Sequence, residues 1–208
     1  MATIDYYFTS SSPFTYLGHK AFEAVALKHG CGIAYKPVDV AAVFGNSGAK
    51  PPAERPPARR RYRLLELQRA AEHRGLPINL KPRHFPVDPL LADQSVIALL
   101  NDKHDPSGFI FSILSAVWAG DEKISDPDII RRHLESSGFD ADAVLEAAQR
   151  DDVAAQRRRN TEEAIAADAV GLPAYVLNGE VFWGQDRIDY LDRALESGRS
   201  PYSAPADS

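Results

Sequence analysis

Alternating apolar residues near the amino end of the chain predict a strand. Ile4, Tyr6 and Phe8 recur at a two-residue period, so their side chains fall on the same face. After Pro13, the apolar positions change to helical spacing, which predicts that a helix follows the strand directly. Three further segments rich in β-branched and aromatic residues predict strands: 33–38, 175–177 and 181–183.

The middle of the chain has helical periodicity and no convincing strand pattern. Proline or capping residues open several of these segments, and glycines follow some of them. This pattern predicts an all-helical region between two β-containing ends. The predicted helices cover 62–72, 90–101, 107–119, 126–135, 140–149 and 151–169, and a last one covers 187–195.

Ser12 stands at the junction between the first strand and the first helix. Pro13 has the fixed backbone angle and the missing N–H that suit the first helical position, which makes Ser12 the expected N-cap. The unpaired N–H groups and the positive end of the helix dipole stabilise an anion there, whether phosphate, carboxylate or thiolate. Ser12 is therefore either only a cap or also part of a reactive site.

A proline turn and a hairpin lie near the other end of the chain. Pro173 stands at the start of a predicted strand, where we expect a cis bond after Leu172. Asn178-Gly179 is the strongest short-range signal for a hairpin. Together with the Ser12 turn, these features resemble the thioredoxin-like fold, in which a proline loop faces a reactive strand–turn–helix.

The predicted fold class is therefore α/β, a thioredoxin-like fold with an all-helical insertion, as in DsbA-like proteins. We expect a discontinuous thioredoxin-like domain, a helical insertion domain and a flexible tail. The Ser- and Pro-rich composition of the chain end supports the tail. The expected boundaries are 1–42 with 151–197 for the first, 43–150 for the second and 198–208 for the tail.

Three motifs point to a particular family within the thioredoxin-like fold. Ser12-Pro13-Phe14-Thr15-Tyr16-Leu17, Val170-Gly171-Leu172-Pro173 and Phe182-Trp183-Gly184-Gln185-Asp186-Arg187 resemble the 2-hydroxychromene-2-carboxylate isomerase family. This family is a DsbA-like group related to kappa-class glutathione transferases, and the resemblance extends from about Ile4 to Leu195. It implies reduced glutathione as the cofactor, a small aromatic oxoacid as the substrate and a homodimer.

The resemblance also excludes the redox chemistry of the oxidoreductase relatives. Those relatives have cysteines where this chain has Ser12 and Thr15. The single cysteine, Cys31, cannot form an intramolecular disulfide, and we expect it to be structural. The implied catalytic residue is instead Ser12, whose hydroxyl would donate a hydrogen bond to the glutathione sulfur and favour the thiolate.

The motifs also imply glutathione-binding residues. Leu172, before Pro173, is expected to meet the cysteinyl backbone of glutathione through its own N–H and C=O. Gln185 and Asp186 match positions that hold the γ-glutamyl end, although Asp186 could instead only cap the last helix. Trp183 matches an aromatic position near the site, with a core role as the alternative.

One loop departs from the family pattern. The family usually has asparagine where this chain has Ala49, so a side-chain hydrogen bond to glutathione is lost. Asn46 from a shifted loop, or the charge of Lys50, could compensate. Among the arginines that follow, we expect Arg60 to meet an anionic carboxylate, and Phe14 is a further candidate for contacting the substrate.

Composition removes several other classes of function. The formal net charge of −5 and the lack of a recognition motif argue against nucleic acid as a partner. No apolar run follows a basic start and no long uncharged stretch occurs, which argues against a signal peptide and a transmembrane helix. Metal-binding and serine-hydrolase motifs are also missing. We therefore expect a cytoplasmic protein without a metal and without a membrane partner.

Three hypotheses for function remain. The first is a glutathione-dependent isomerase that converts 2-hydroxychromene-2-carboxylate to trans-o-hydroxybenzylidenepyruvate. The second is a glutathione transferase, whose product would retain the sulfur. The third is a non-catalytic thioredoxin-like binding protein, which the alanine at position 49 favours.

Overall fold

A four-stranded mixed sheet forms the centre of the computed structural model, which describes residues 2–205. The strands are β1 (Thr3–Phe8), β2 (Gly32–Pro37), β3 (Ala174–Leu177) and β4 (Glu180–Trp183), in the spatial order β2-β1-β3-β4. β1 runs parallel to β2 and antiparallel to β3, and β3 forms a hairpin with β4. The predicted strands and hairpin are thereby confirmed.

Helices cover both faces of this sheet. Two short 3-10 turns, Pro52–Glu54 and Gln185–Arg187, accompany them. In the described part of the chain, the helices are α1 (Pro13–Lys28), α2 (Val40–Ser47), α3 (Pro57–Arg74), α4 (Leu90–Asn101), α5 (Ser107–Trp118), α6 (Pro127–Ser136), α7 (Ala141–Ala148), α8 (Asp151–Ala166) and α9 (Ile188–Ser197). None of these helices is both long and apolar enough to cross a membrane.

The two-residue period of β1 divides the core into two layers. Ile4, Tyr6 and Phe8 are fully buried in the larger cluster, which includes side chains from α1, α9 and α3 to α7. Tyr7 faces the opposite way, into a smaller cluster with Val43 of α2 and residues of α8. Burying β1 on both faces makes it the centre of the core, because apolar side chains leave water on each side of the sheet.

The helical predictions hold to within a few residues, with one omission. The structure places helix α2 directly after β2, where no helix was predicted. Asp39 caps it by accepting a hydrogen bond from the Ala41 N–H at 2.8 Å, and Gly48 ends it at φ 71°. A helix of eight residues with only Val43 buried presents too short a repeat for periodicity to reveal.

The first residues of the predicted tail contact the hairpin. Arg199 Nη1 forms an ion pair with Oε2 of Glu180 in β4 at 2.7 Å, and the guanidinium carbon of Arg199 lies 3.7 Å from the ring centroid of Tyr202. The Tyr202 N–H also donates to Glu180 at 2.9 Å. These contacts hold residues 199–202 against the hairpin, while residues 206–208 of the predicted tail lie outside the described part.

A buried ion pair connects the ends of two strands to two helices. Asp93 of α4 is 0% exposed, and Arg157 of α8 donates to its Oδ2 from Nε at 3.2 Å and from Nη2 at 3.1 Å. The same carboxylate accepts the Ser10 N–H at 2.9 Å and the Thr9 hydroxyl at 3.3 Å, and Arg157 also donates to the Val38 carbonyl. The pair thereby fixes the backbone that leaves β1 and β2.

We expect Asp93→Asn to lower the free energy of unfolding by about 3 kcal/mol, because Arg157 would keep its charge without a buried counter-charge. Urea unfolding followed by circular dichroism measures this loss. Asp102→Asn is the matched control, since Asp102 is an exposed residue at the end of the same helix. Equal stabilities of the two variants would contradict a role for the pair in holding the fold.

Candidate active site

Ser12 caps α1, as its position after β1 predicts. Its backbone is extended, and its Oγ accepts the Thr15 N–H at 3.2 Å. This bond uses a lone pair of the hydroxyl and leaves the hydroxyl proton available, since no described residue accepts it. A group beside Ser12 can therefore receive a hydrogen bond at the positive end of the helix dipole.

The loop before β3 supplies open backbone groups. The Leu172–Pro173 bond is cis, as predicted, and the Pro173 carbonyl accepts the Gly184 N–H at 2.8 Å. Within residues 2–205, nothing hydrogen-bonds to the N–H or C=O of Leu172. Because most buried or half-buried backbone groups are paired, this free donor and acceptor are suited to an extended peptide-like ligand.

A cavity of about 660 Å³ connects the Ser12 turn with the Leu172 loop. Its volume is within the range of sites for small molecules. Most of the residues that the sequence suggested for the site line it. They are Ser12, Phe14, Lys50, Leu172, Trp183, Gln185 and Asp186, whereas Pro173 is buried and does not line the cavity.

The 3-10 turn after β4 is held in place from two sides. Arg74 of α3 donates to the Gln185 carbonyl at 3.1 Å. Gly18 of α1 allows the turn to come close, since a Cβ at that position would lie 2.8 Å from the Cβ of Gln185. These contacts determine where the next residue, Asp186, meets the cavity.

Asp186 does not cap the last helix. Neither the 3-10 turn nor α9 has a side-chain cap, so the structure does not support the alternative interpretation of this residue. Its side chain is 59% exposed at the cavity and pairs with Arg187 Nη1 at 2.5 Å. An exposed carboxylate of this kind can exchange its partner for a ligand ammonium at small cost.

Trp183 forms part of the cavity wall and is not a core residue. It lies on β4 opposite Ala174 and is 51% exposed. The indole packs over Gly171, where a Cβ would come within 2.7 Å of the indole Nε1. Glycine at 171 thus determines the position of this side chain.

Basic residues form another wall of the cavity, but Arg60 is not among them. Arg55, Arg59 and Arg63 line the cavity, whereas Arg60 lies exposed on α3 outside its lining. Arg59 and Arg63 are four residues apart and share a helix face, a spacing that could have singled them out. Burial, together with the nearby charge of Arg55, lowers the pKa of Arg63 to about 10.

The loop that contains Ala49 contributes to the cavity wall. Ala49 and Lys50 both line the cavity. Asn46, the other possible replacement for the missing asparagine, lies exposed within α2 and is not part of the lining. Lys50 therefore remains the candidate to replace the lost contact.

No redox dithiol is present at this site. Thr15, at the second position of the oxidoreductase pattern, is fully buried, and its hydroxyl has no partner among residues 2–205. Cys31 precedes β2, whose first residue pairs with Thr3 at the start of β1. Ser12 follows the other end of β1, so Cys31 is far from the Ser12 turn. The described residues also contain no group of three or more side chains arranged to hold a metal ion.

Two contacts that support the Ser12 turn were not predicted. The Trp118 indole Nε1 donates to the Ser11 carbonyl at 3.1 Å, and Asp93 accepts the Ser10 N–H. Trp118 and Asp93 are far from the turn in sequence and belong to different helices. Only the helix packing brings them to it, so periodicity contained no signal for these contacts.

Residues 3–196 match the family of DSBA-like thioredoxin domains, and the chain belongs to that family. It is similar to proteins named 2-hydroxychromene-2-carboxylate isomerase. The one from Sphingobium xenophagum is 27% identical over 195 residues, which cover 93% of this chain and 97% of that protein. The one from Pseudomonas putida is 26% identical over 203 residues, which cover 92% and 93%.

A solved structure of a 2-hydroxychromene-2-carboxylate isomerase is 23% identical in sequence and has a TM-score of 0.71. The match covers 94% of this chain and 95% of that one. These comparisons confirm the fold class and the resemblance that the three motifs indicated.

We expect Gly171→Ala to displace the Trp183 indole, because the added methyl group would overlap it. The variant should show stronger quenching of tryptophan fluorescence by acrylamide and a stability loss of roughly 1 kcal/mol. Gly108→Ala on α5 is the control, since a Cβ there meets no atom within 4 Å. Trp183→Phe shows which part of the quenching comes from Trp183, because the other tryptophan, Trp118, is buried. Unchanged quenching in Gly171→Ala would contradict the close contact between Gly171 and the Trp183 indole.

Proposed function

We propose that this protein is a glutathione-dependent isomerase that acts on a conjugated aromatic oxoacid of the 2-hydroxychromene-2-carboxylate type. The observation that carries the proposal is the shared cavity of Ser12 and Leu172 in a chain without a dithiol. A site that cannot exchange its own disulfide can still bind and activate an external thiol. The names of the curated relatives agree with this reaction.

The residues present fit glutathione, a tripeptide with a thiol, two carboxylates and an ammonium group. The free N–H and C=O of Leu172 can pair with the cysteinyl backbone in the manner of an added strand. Asp186 offers its carboxylate to the γ-glutamyl ammonium, and Lys50 offers its charge to a carboxylate. Each of these side chains lines the same cavity as Ser12.

Ser12 is the residue that we assign to thiol activation. A free thiol titrates near ~8.5, so only a small fraction is ionised at neutral pH. The Ser12 hydroxyl proton and the α1 N-terminus both favour the ionised sulfur. Glutathione, when bound, supplies a thiolate that adds reversibly to a conjugated carbon, so that the former double bond can rotate before the sulfur leaves. Ser12 donates a hydrogen bond throughout and forms no covalent bond.

We expect Ser12→Ala to raise the pKa of the bound glutathione thiol by roughly 1 to 2, the worth of one hydrogen bond to a charged group. Turnover at neutral pH should fall more than glutathione affinity, and it should recover as the pH rises and the thiol ionises unaided. The ultraviolet absorbance of bound thiolate, followed against pH, measures the change directly.

Two further variants make this test specific. Ser12→Gly removes the same hydroxyl but costs less helix-capping stability than Ser12→Ala. It should therefore show the same raised pKa of the bound thiol with a smaller loss of stability. Ser11→Ala is the neighbouring control. If Ser11→Ala changes the titration and Ser12→Ala does not, the activating hydroxyl belongs to Ser11. Loss of turnover at every pH would indicate a serine nucleophile instead.

Asp186→Ala should weaken glutathione binding roughly tenfold, because the ligand ammonium would lose a charged partner. Stability should change little, since Asp186 is exposed and caps no helix. Isothermal titration with glutathione provides the affinity, and Asp189→Ala in α9 is a control that leaves the cavity lining intact. Unchanged affinity would remove Asp186 from the proposed site.

Product analysis separates the isomerase from the alternatives. An isomerase returns glutathione unchanged, so no sulfur remains in the product. A product that retains the tripeptide would identify a transferase. Binding of glutathione without turnover of any conjugated oxoacid would favour a non-catalytic binding protein.

A further inference from the structure

Arg63 lies among aromatic rings at the cavity. Its guanidinium carbon is 6.0 Å from the ring centroid of Phe14 and 5.8 Å from those of Phe85 and Trp118. These three rings come from α1, from the segment before α4 and from α5. The planar group is thus enclosed by apolar surfaces and held in the lining of the cavity.

This guanidinium has no counter-charge within residues 2–205. No ion pair and no hydrogen bond joins Arg63 to another described residue, and its closest charged influence is the repelling Arg55. Burial and Arg55 lower the pKa of Arg63 only to about 10, so the group is still protonated at neutral pH. A partly buried cation without a partner favours the entry of an anion, because pairing offsets its lost hydration.

Neighbouring acidic side chains do not supply that anion. Glu66 lies three residues further along α3, and its carboxylate pairs with Arg69 at 2.5 Å. Asp186 pairs with Arg187. The charge of Arg63 is therefore available to a molecule that enters the cavity.

Two of the rings also connect Arg63 to the Ser12 turn. Phe14 follows Ser12 by two residues in α1, and Trp118 donates a hydrogen bond to the Ser11 carbonyl. A planar aromatic molecule with its anionic group at Arg63 would thus lie in the same part of the cavity as the proposed thiol.

We propose that Arg63 binds the carboxylate of the substrate and makes the protein select aromatic oxoacids over aromatic ketones. The guanidinium fork matches a carboxylate with two parallel hydrogen bonds, which a neutral carbonyl cannot replace. This inference rests on the proposed function, because it assigns the second reactant to the same cavity. It also replaces Arg60 with Arg63 as the residue that recognises the substrate.

The test compares two probes that differ only in the anionic group. trans-Benzylidenepyruvate has an aromatic enone with a carboxylate, and benzylideneacetone has the same enone with a methyl group instead. Isothermal titration of each into protein saturated with S-methylglutathione, which cannot add to the enone, measures binding without reaction. We expect Arg63→Met to weaken benzylidenepyruvate binding roughly 10- to 100-fold and to leave benzylideneacetone binding within about twofold.

Control variants and alternative outcomes make the test decisive. Arg61→Met removes the same charge from an exposed position of α3 and should affect neither probe. Equal loss of both probes in Arg63→Met would show that the residue only supports the cavity wall. Loss of S-methylglutathione binding would show that Arg63 holds glutathione. Weaker benzylidenepyruvate binding in Arg60→Met but not in Arg63→Met would show that Arg60 binds the substrate carboxylate instead. Each of these three results overturns the inference.

The proposed function fails by a different measurement. If the parent protein does not bind reduced glutathione as a thiolate, that proposal is wrong. The comparison of the two probes can still be made without S-methylglutathione, so a preference for the carboxylate that depends on Arg63 remains measurable.

Discussion

The buried contact between Asp93 and Arg157 fixes the geometry on which the candidate site depends. Asp93 holds the Thr9-Ser10 backbone as it leaves β1, and Arg157 holds the Val38 carbonyl after β2. Without a polar partner, these buried groups would pay the cost of leaving water. The ion pair therefore stabilises one arrangement of the two strand ends, and the cap residue Ser12 follows directly from it.

The site itself combines segments that are far apart in the chain. The Ser12 turn comes from the first strand–helix unit, the Leu172 loop precedes β3, and the basic wall belongs to α3 in the helical region. Two close approaches connect the first two of these parts to β4 and the turn after it, at Gly171 beside Trp183 and at Gly18 beside Gln185. Small residues at these points allow backbone and side chains to meet without overlap.

The lining of the cavity contains charges of both signs. Asp186 is exposed at one part of the lining, and a cluster of Arg55, Arg59 and Arg63 forms another. Burial, and to a lesser extent repulsion between neighbouring arginines, lowers the pKa values of Arg55 and Arg63. Such a cluster is unfavourable in the free protein and becomes favourable when an anion binds in the cavity.

The sequence by itself determined the local features of this protein. The two-residue period of β1, the Ser12 cap, the hairpin and most helices follow from interactions within a few residues, which a pattern records. The Trp118 contact with Ser11 and the position of Arg63, rather than Arg60, in the cavity lining depended on tertiary packing, whereas helix α2 was too short for its periodicity to reveal it. Side chains distant in sequence meet only when helices dock on the sheet, so no local period contains that information.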